Sequence, residues 1–301
     1  MGVFFPPRAV RLAFLCGMIG TAAFIHPADT SPSNVTPKTP LVVAHRGGSG
    51  LAPENTLEAF SQSLSLGVDA VELDVHLNKE GIPVVIHDPL LDKTTDGVGL
   101  VEDYTLKELK ALDAGARFKG IRDNGIEGKR TPRIPTLEEV LELIQGKVKL
   151  QLEIKVRQDG TRYPGIEQKV VEALRRYGMV QDTIVLSFDL PTLQTVKEWE
   201  PSLETCAVIG TRYLNAMLPL GVTAIAEELV KYRVAYVGVD ERRLTPALLE
   251  ALRNRGLRVG VWTVNDERRM RQFVQMGVDF ITTDRPDILK RVVTNSAPWG
   301  P

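Results

Sequence analysis

Little in this 301-residue chain points to redox, disulfide-bonded, nucleic-acid-binding or zinc chemistry. Cysteine occurs only as Cys16 and Cys206. Cys16 falls in an N-terminal leader, so Cys206 stands alone in a predicted strand and reads as a small core hydrophobe without an intrachain disulfide partner. The formal charge is −1. No basic block and no interleaving of aromatic and basic residues occurs, so no nucleic-acid partner is expected. The Cys/His spacing of a zinc site is missing. So is the Gly-rich fingerprint that follows the first strand of a dinucleotide-binding domain. Histidine is scarce, with four in all, one of them (His26) in the leader.

What is present suits a soluble globular protein, with 43% hydrophobic and 25% charged residues. Arg8 and Arg11 precede an uncharged apolar stretch, Leu12 to Ile25. That stretch falls short of the roughly 20 residues a membrane span needs and reads as an export signal. Thr21-Ala22-Ala23 and His26-Pro27-Ala28 offer small-residue cleavage points, while bulky Leu15 before Cys16 suits a lipid-attachment site poorly. Residues 1–28 are therefore expected to be a signal peptide, and the protein periplasmic or secreted; an uncleaved N-terminal anchor is the alternative. Residues 29–40, rich in Ser, Thr and Pro, read as a disordered linker. No stable membrane span is expected in the mature chain. Residues 41–293 form one domain, and 294–301 a flexible tail.

In that domain short β-branched runs alternate with amphipathic helical stretches, the pattern of βαβ units. Strands are expected at 41–45, 70–76, 149–155, 183–188, 205–209, 235–239, 258–264 and 279–283. Helices are expected at 56–66, 136–144, 166–177, 193–199, 222–232, 246–255, 267–276 and 287–293. Eight strand–helix pairs in about 250 residues is the arithmetic of a TIM (β/α)8 barrel. One further run, 83–87, follows its predecessor too closely for a parallel crossover and reads as the return arm of a hairpin around Lys79-Glu80-Gly81. A two-residue loop sets His87 opposite Glu72 or Asp74; a three-residue loop sets it opposite Leu73 and turns it away. The former is the expectation. Residues 89–135 then form a short insertion over the barrel mouth.

Three strand ends carry charged chemistry. Leu41-Val-Val-Ala-His-Arg-Gly-Gly48 ends an apolar run on His45 and Arg46, with glycines that would let a ligand approach the backbone. Glu72 and Asp74 are two apart in a strand and project to one face, where they repel unless a cation or proton lies between them. With Glu153 from the next strand they make an all-oxygen site suited to Ca²⁺ or Mg²⁺. Arg46 offers a planar fork of donors for phosphate oxygens and Lys155 a point charge, the bland alternative being ion pairs with those acids. His45 and His87 each lie beside a strand-end charge and are the candidate acid–base pair. His76 shares the Glu72 and Asp74 face and is given a supporting role. Glu54 is expected to orient Arg46 or His45, to bind the metal or to stabilise its loop, and Thr56 to cap the first helix. Trp262 and Phe188 could wall a glycerol group, with Thr263 and Asn265 as hydrogen-bonding groups, or belong to the core.

His45-Arg46-Gly47, Glu54-Asn55-Thr56, Glu72-Leu73-Asp74, His87-Asp88, Glu153-Ile154-Lys155 and Thr283-Asp284-Arg285-Pro286 together resemble, in order, the motifs of the glycerophosphodiester phosphodiesterase family. The resemblance runs from about Leu41 to Leu289. It implies metal-dependent hydrolysis of a glycerophosphodiester to sn-glycerol 3-phosphate and an alcohol, with an insertion that shapes the substrate entrance. The attacking oxygen would be water or the substrate's neighbouring glycerol hydroxyl. Two other readings are a lysophospholipase D or phosphatidylinositol phospholipase on the same barrel, which should expose apolar residues at the rim, and a non-catalytic phospho-polyol binding protein. The stretch from Lys119 to Arg133 is strongly polar, which disfavours the first. Two histidines beside a carboxylate cluster disfavour the second.

Overall fold

The β-branched runs lie side by side and the amphipathic stretches coil between them. The structure, a computed structural model, describes residues 39–119 and 131–296. In chain order it contains β1 (Leu41–Ala44), α1 (Leu57–Leu66), β2 (Ala70–Leu77), β3 (Pro83–Val85), α2 (Leu106–Ala111), α3 (Leu137–Ile144), β4 (Lys149–Ile154) and α4 (Ile166–Arg176). There follow β5 (Thr183–Ser187), α5 (Leu190–Trp199), β6 (Glu204–Ile209), α6 (Thr211–Met217), α7 (Val222–Val230) and β7 (Tyr236–Asp240). The last elements are α8 (Pro246–Arg253), β8 (Arg258–Trp262), α9 (Glu267–Met276), β9 (Phe280–Thr283) and α10 (Pro286–Ser296). All strands except β3 pair in parallel with their neighbours, and β1 pairs with both β2 and β9, so the sheet closes on itself. The expected (β/α)8 barrel is what forms.

The period-2 alternation of the strands sorts the side chains. Val71, Leu73 and Val75 of β2 and Leu150, Leu152 and Ile154 of β4 are buried in the layer between sheet and helices. The alternate residues point into the barrel, where Val43, Ala70, Leu186, Cys206, Val208, Tyr236 and Phe280 form a second apolar cluster. The barrel packs tightly: a Cβ on Gly260 would overlap the Phe280 ring. At the N-terminal end the Arg258 guanidinium covers the Tyr236 ring at 3.7 Å and pairs with Glu204. Cys206 is fully buried and in no disulfide, the small hydrophobe expected.

The expected helix starts at Thr56 and Thr136 are caps: Thr56 accepts from the Ala59 amide, and Thr136 forms a reciprocal box with Glu139. Two helices were not foreseen. α2 lies in the insertion, and α6 precedes α7 after β6; α6 starts from Gly210 with no side-chain cap, so its sequence carries no start signal.

The hairpin departs from its expected register. Val75 faces Val85 and His76 faces Val84, and the Asn78 amide donates to Ile82 O across the three residues 79–81. That alignment would turn His87 away from the carboxylates if the ladder continued. It does not: the ladder ends with the Ile86 amide, which donates to Asp74 O, while the Val85 amide, pointing away from β2 in this register, donates to Pro135 O. The chain then bends, and His87 reaches the barrel mouth outside the ladder.

The expected signal peptide and nearly all of the linker lie outside the described residues, as do residues 120–130 of the polar insertion and the end of the tail. Among the described residues no helix is long and apolar enough to cross a membrane.

Candidate active site

The site is built where the interior rows of the strands reach the C-terminal mouth. β1 stops at Ala44, one residue earlier than expected, and His45–Gly47 form a single tight turn. Arg46 sits there at φ 51°, a left-handed conformation costing about 1–2 kcal/mol for a residue with a side chain. Its amide donates to Glu72 Oε2 at 2.8 Å, a bond that helps hold the turn. Gly47 and Gly48 serve packing rather than ligand approach: a Cβ on Gly47 would come within 2.9 Å of Ala59 Cβ, and one on Gly48 within 3.2 Å of Pro286.

His45 Nδ1 donates to Asp284 Oδ1 at 2.6 Å. The same carboxylate accepts from Ser49 Oγ at 2.5 Å and Asn265 Nδ2 at 2.6 Å. Burial would raise its pKa, but these bonds and the His45 charge outweigh burial and hold Asp284 well below the usual carboxylate range. The ring of His45 is thus fixed with Nε2 left for chemistry. Asn265, expected as a possible glycerol ligand, is committed to Asp284 and Thr283. Asp284 stood within a motif but had no assigned role; its interior parity with Phe280 and Thr282 on β9 is the signal that could have found it.

Glu72, Asp74 and Glu153 come together as expected, each offering an oxygen within 4.8 Å of the others. Burial and the nearby Asp74 and Glu153 charges push Glu72 well above its ordinary pKa. Asp74 is held far below its own: burial opposes ionisation, but Lys155, His87 and Arg46 outweigh it. Lys155 Nζ lies 2.8 Å from Glu153 Oε1 and 3.1 Å from Asp74 Oδ1, so its expected ion pairs form. Asn55 Nδ2 donates to Asp74 Oδ2 at 2.9 Å. Glu54 accepts from Arg46 Nη1 at 2.9 Å, so among its expected roles it orients Arg46; it is outside the carboxylate cluster. An all-oxygen set in which mutual repulsion holds a proton on one member fits a hard divalent cation, which would release that proton.

His87 Nδ1 lies 3.4 Å from Asp88 Oδ2 without forming a hydrogen bond. The His87 ring in turn holds Asp88 below the ordinary carboxylate range. His76 is buried; its Nε2 donates to the backbone carbonyl of His87 at 2.9 Å, and burial pushes its pKa down to about 4. It lines a cleft shared with His87, Glu153 and Lys155 and not the cavity that holds His45 and Arg46.

That cavity is lined by His45, Arg46, Glu72, His87 and Glu153 on one side and by Leu186, Val208 and Phe280 beneath. Phe188 and Trp262 meet edge to face across it, ring centroids 5.4 Å apart. A second cleft shares His87, Glu153 and Phe188 with it and is lined by Lys155. Arg46 in the first cavity and Lys155 in the second both reach the Asp74 carboxylate, at 3.7 Å and 3.1 Å.

A closed barrel with paired imidazoles, an acid cluster and two anchored cations at its mouth has the equipment of a phosphodiester hydrolase. Residues 45–288 match the Glycerophosphoryl diester phosphodiesterase family, and the chain belongs to that family. A glycerophosphodiester phosphodiesterase of Caldanaerobacter subterraneus subsp. tengcongensis is 39% identical over 253 residues, covering 84% of this chain and 97% of that enzyme. One from Bacillus subtilis is 32% identical over 269 residues, covering 86% and 88%. An Oleispira antarctica phosphodiesterase solved with the product sn-glycerol-3-phosphate superposes with a TM-score of 0.71 at 30% identity, covering 85% of this chain and 97% of that one.

Proposed function

We propose that this enzyme hydrolyses glycerophosphodiesters to sn-glycerol 3-phosphate and an alcohol, with His45 as general base and His87 as general acid. The observation that carries the reading is one cavity with both histidines, Arg46 and two of the three clustered carboxylates on one side and an apolar floor on the other. The phosphate lies against Arg46 and Lys155. Arg46 is aimed by Glu54, which lowers the cost of ordering its side chain on binding. The glycerol carbons rest on Leu186, Val208 and the Trp262 and Phe188 rings. His45, its Nδ1 committed to Asp284, takes the proton of the incoming oxygen at Nε2; the ionised Asp284 stabilises the imidazolium that results. His87 gives a proton to the departing alkoxide. Glu72, Asp74 and Glu153 would hold a Ca²⁺ or Mg²⁺ ion, which supplies neutralisation of phosphate charge.

The test is to assay purified protein on glycerophosphocholine with Ca²⁺, with Mg²⁺ and with EDTA. Release of sn-glycerol 3-phosphate and choline that needs one of the cations is expected. Product appearing as phosphocholine and glycerol would reject the assigned scissile bond.

Residues 1–28 are proposed to direct export and be removed. The mature chain should begin between about Ala23 and Asp29 and be recovered outside the cytoplasm. An intact mass retaining Met1 in a soluble cytoplasmic fraction would contradict this.

A further inference from the structure

His76 was expected to have a supporting role beside the carboxylates, and Tyr163 was assigned none. Tyr163 lies in the segment between β4 and α4, buried to 3% exposure, and its hydroxyl is 3.0 Å from His76 Nδ1. A carbonyl oxygen only accepts, so the His76 ring nitrogen that faces His87 O carries the hydrogen. In the neutral ring Nδ1 then accepts from the phenol. The two rings stand edge to face, centroids 5.6 Å apart, which fixes both. Behind Tyr163, the Arg157 guanidinium covers the phenol ring at 5.1 Å and is itself held by Glu102 of the insertion at 2.8 Å.

This chain of contacts ends at His87, the residue that follows the last ladder bond of the hairpin. Ile86 still donates its amide to Asp74 O. The carbonyl of His87, the following residue, is held by the His76 side chain. We infer that Tyr163 and His76 are positioning residues for His87. The phenol fixes which His76 nitrogen carries hydrogen, and that nitrogen pins the His87 backbone so that its imidazole faces the cavity. The inference rests on the catalytic reading of His87 but not on whether His87 acts as acid or base.

A double-mutant cycle tests it, because a residue acting through His87 has no effect once the imidazole is gone. Tyr163→Phe keeps the ring and its packing and removes only the hydroxyl. Measured on glycerophosphocholine with the full-length holoenzyme, it should lower kcat about tenfold with KM within about twofold. In the His87→Ala background it should have no further effect. His76→Gln, whose amide can still donate to the carbonyl, should retain more kcat than His76→Leu; it also serves if Tyr163→Phe folds poorly. The same factor lost from Tyr163→Phe in both backgrounds would overturn the inference and leave a structural role, as would an unchanged kcat in the single variant. Failure of the catalytic reading is separately visible, as full activity in His87→Ala alone.

Discussion

His45→Ala should lower kcat by about 10²- to 10⁴-fold on both glycerophosphocholine and the p-nitrophenyl ester of glycerol 3-phosphate, the range expected for loss of a positioned proton-transfer group. His87→Ala should lose as much on the first substrate and far less on the second. The two substrates differ in the departing oxygen. Choline leaves as a basic alkoxide that needs a proton as the bond breaks, whereas p-nitrophenolate is stable without one. The geometry supports this division. His45 has the fixed tautomer and ionised partner of a base, through the 2.6 Å bond to Asp284. His87, unlike His45, also borders the second cleft, where a departing alcohol has room. Asp284→Asn should reproduce part of the His45→Ala loss on both substrates, since the amide no longer stabilises the imidazolium. The deciding quantity is the ratio of the two activities in each variant. Rescue of His45→Ala by the good leaving group, with His87→Ala inactive on both, would exchange the roles.

Most of the site was legible because a parallel barrel strand reports its own geometry. Glu72 and Asp74 share a parity with the barrel interior, and so do Glu153 and Lys155; knowing that the strand is buried on both faces is enough to put the pairs at the mouth. Trp262 and Phe188 follow by the same rule at the ends of β8 and β5. What strand parity cannot supply is which strand ends touch. The His45–Asp284 bond joins residues 239 apart and exists because β9 closes against β1. The hairpin shows the opposite failure. Local turn length predicted a register that would aim His87 inward; the observed register aims it outward, yet the histidine arrives because the ladder ends after the Ile86 amide and the chain bends. Tyr163 was invisible because nothing in a loop tyrosine's sequence neighbourhood says which buried imidazole it meets.

Removing divalent cations should abolish activity and also reveal how the carboxylate cluster is balanced. Without a cation Glu72 is pushed well above its ordinary value near 4.5 by burial and by Asp74 and Glu153. A carboxyl with a raised folded-state pKa binds more protons folded than unfolded, so its contribution to stability is fully present below about pH 4.5 and is lost as pH rises through the folded value. The metal-free protein should therefore melt at progressively lower temperature as pH is raised from about 5 upward, and Ca²⁺ or Mg²⁺ should reverse the fall by taking the place of the proton. Glu72→Gln should flatten the metal-free slope, because the amide has no proton to lose. Glu153→Gln should reduce it, having removed one repelling charge, and should weaken cation binding by tenfold or more, about 1.4 kcal/mol per decade. Its activity should fall along with that affinity and recover in part at high cation concentration. Thermal melts across pH with and without cation, together with cation titration of activity in the two variants, measure all of this. A metal-free melting temperature that stays level over that window would remove the coupled-proton account, and full activity of Glu153→Gln after chelation and washing would remove Glu153 from the cation site.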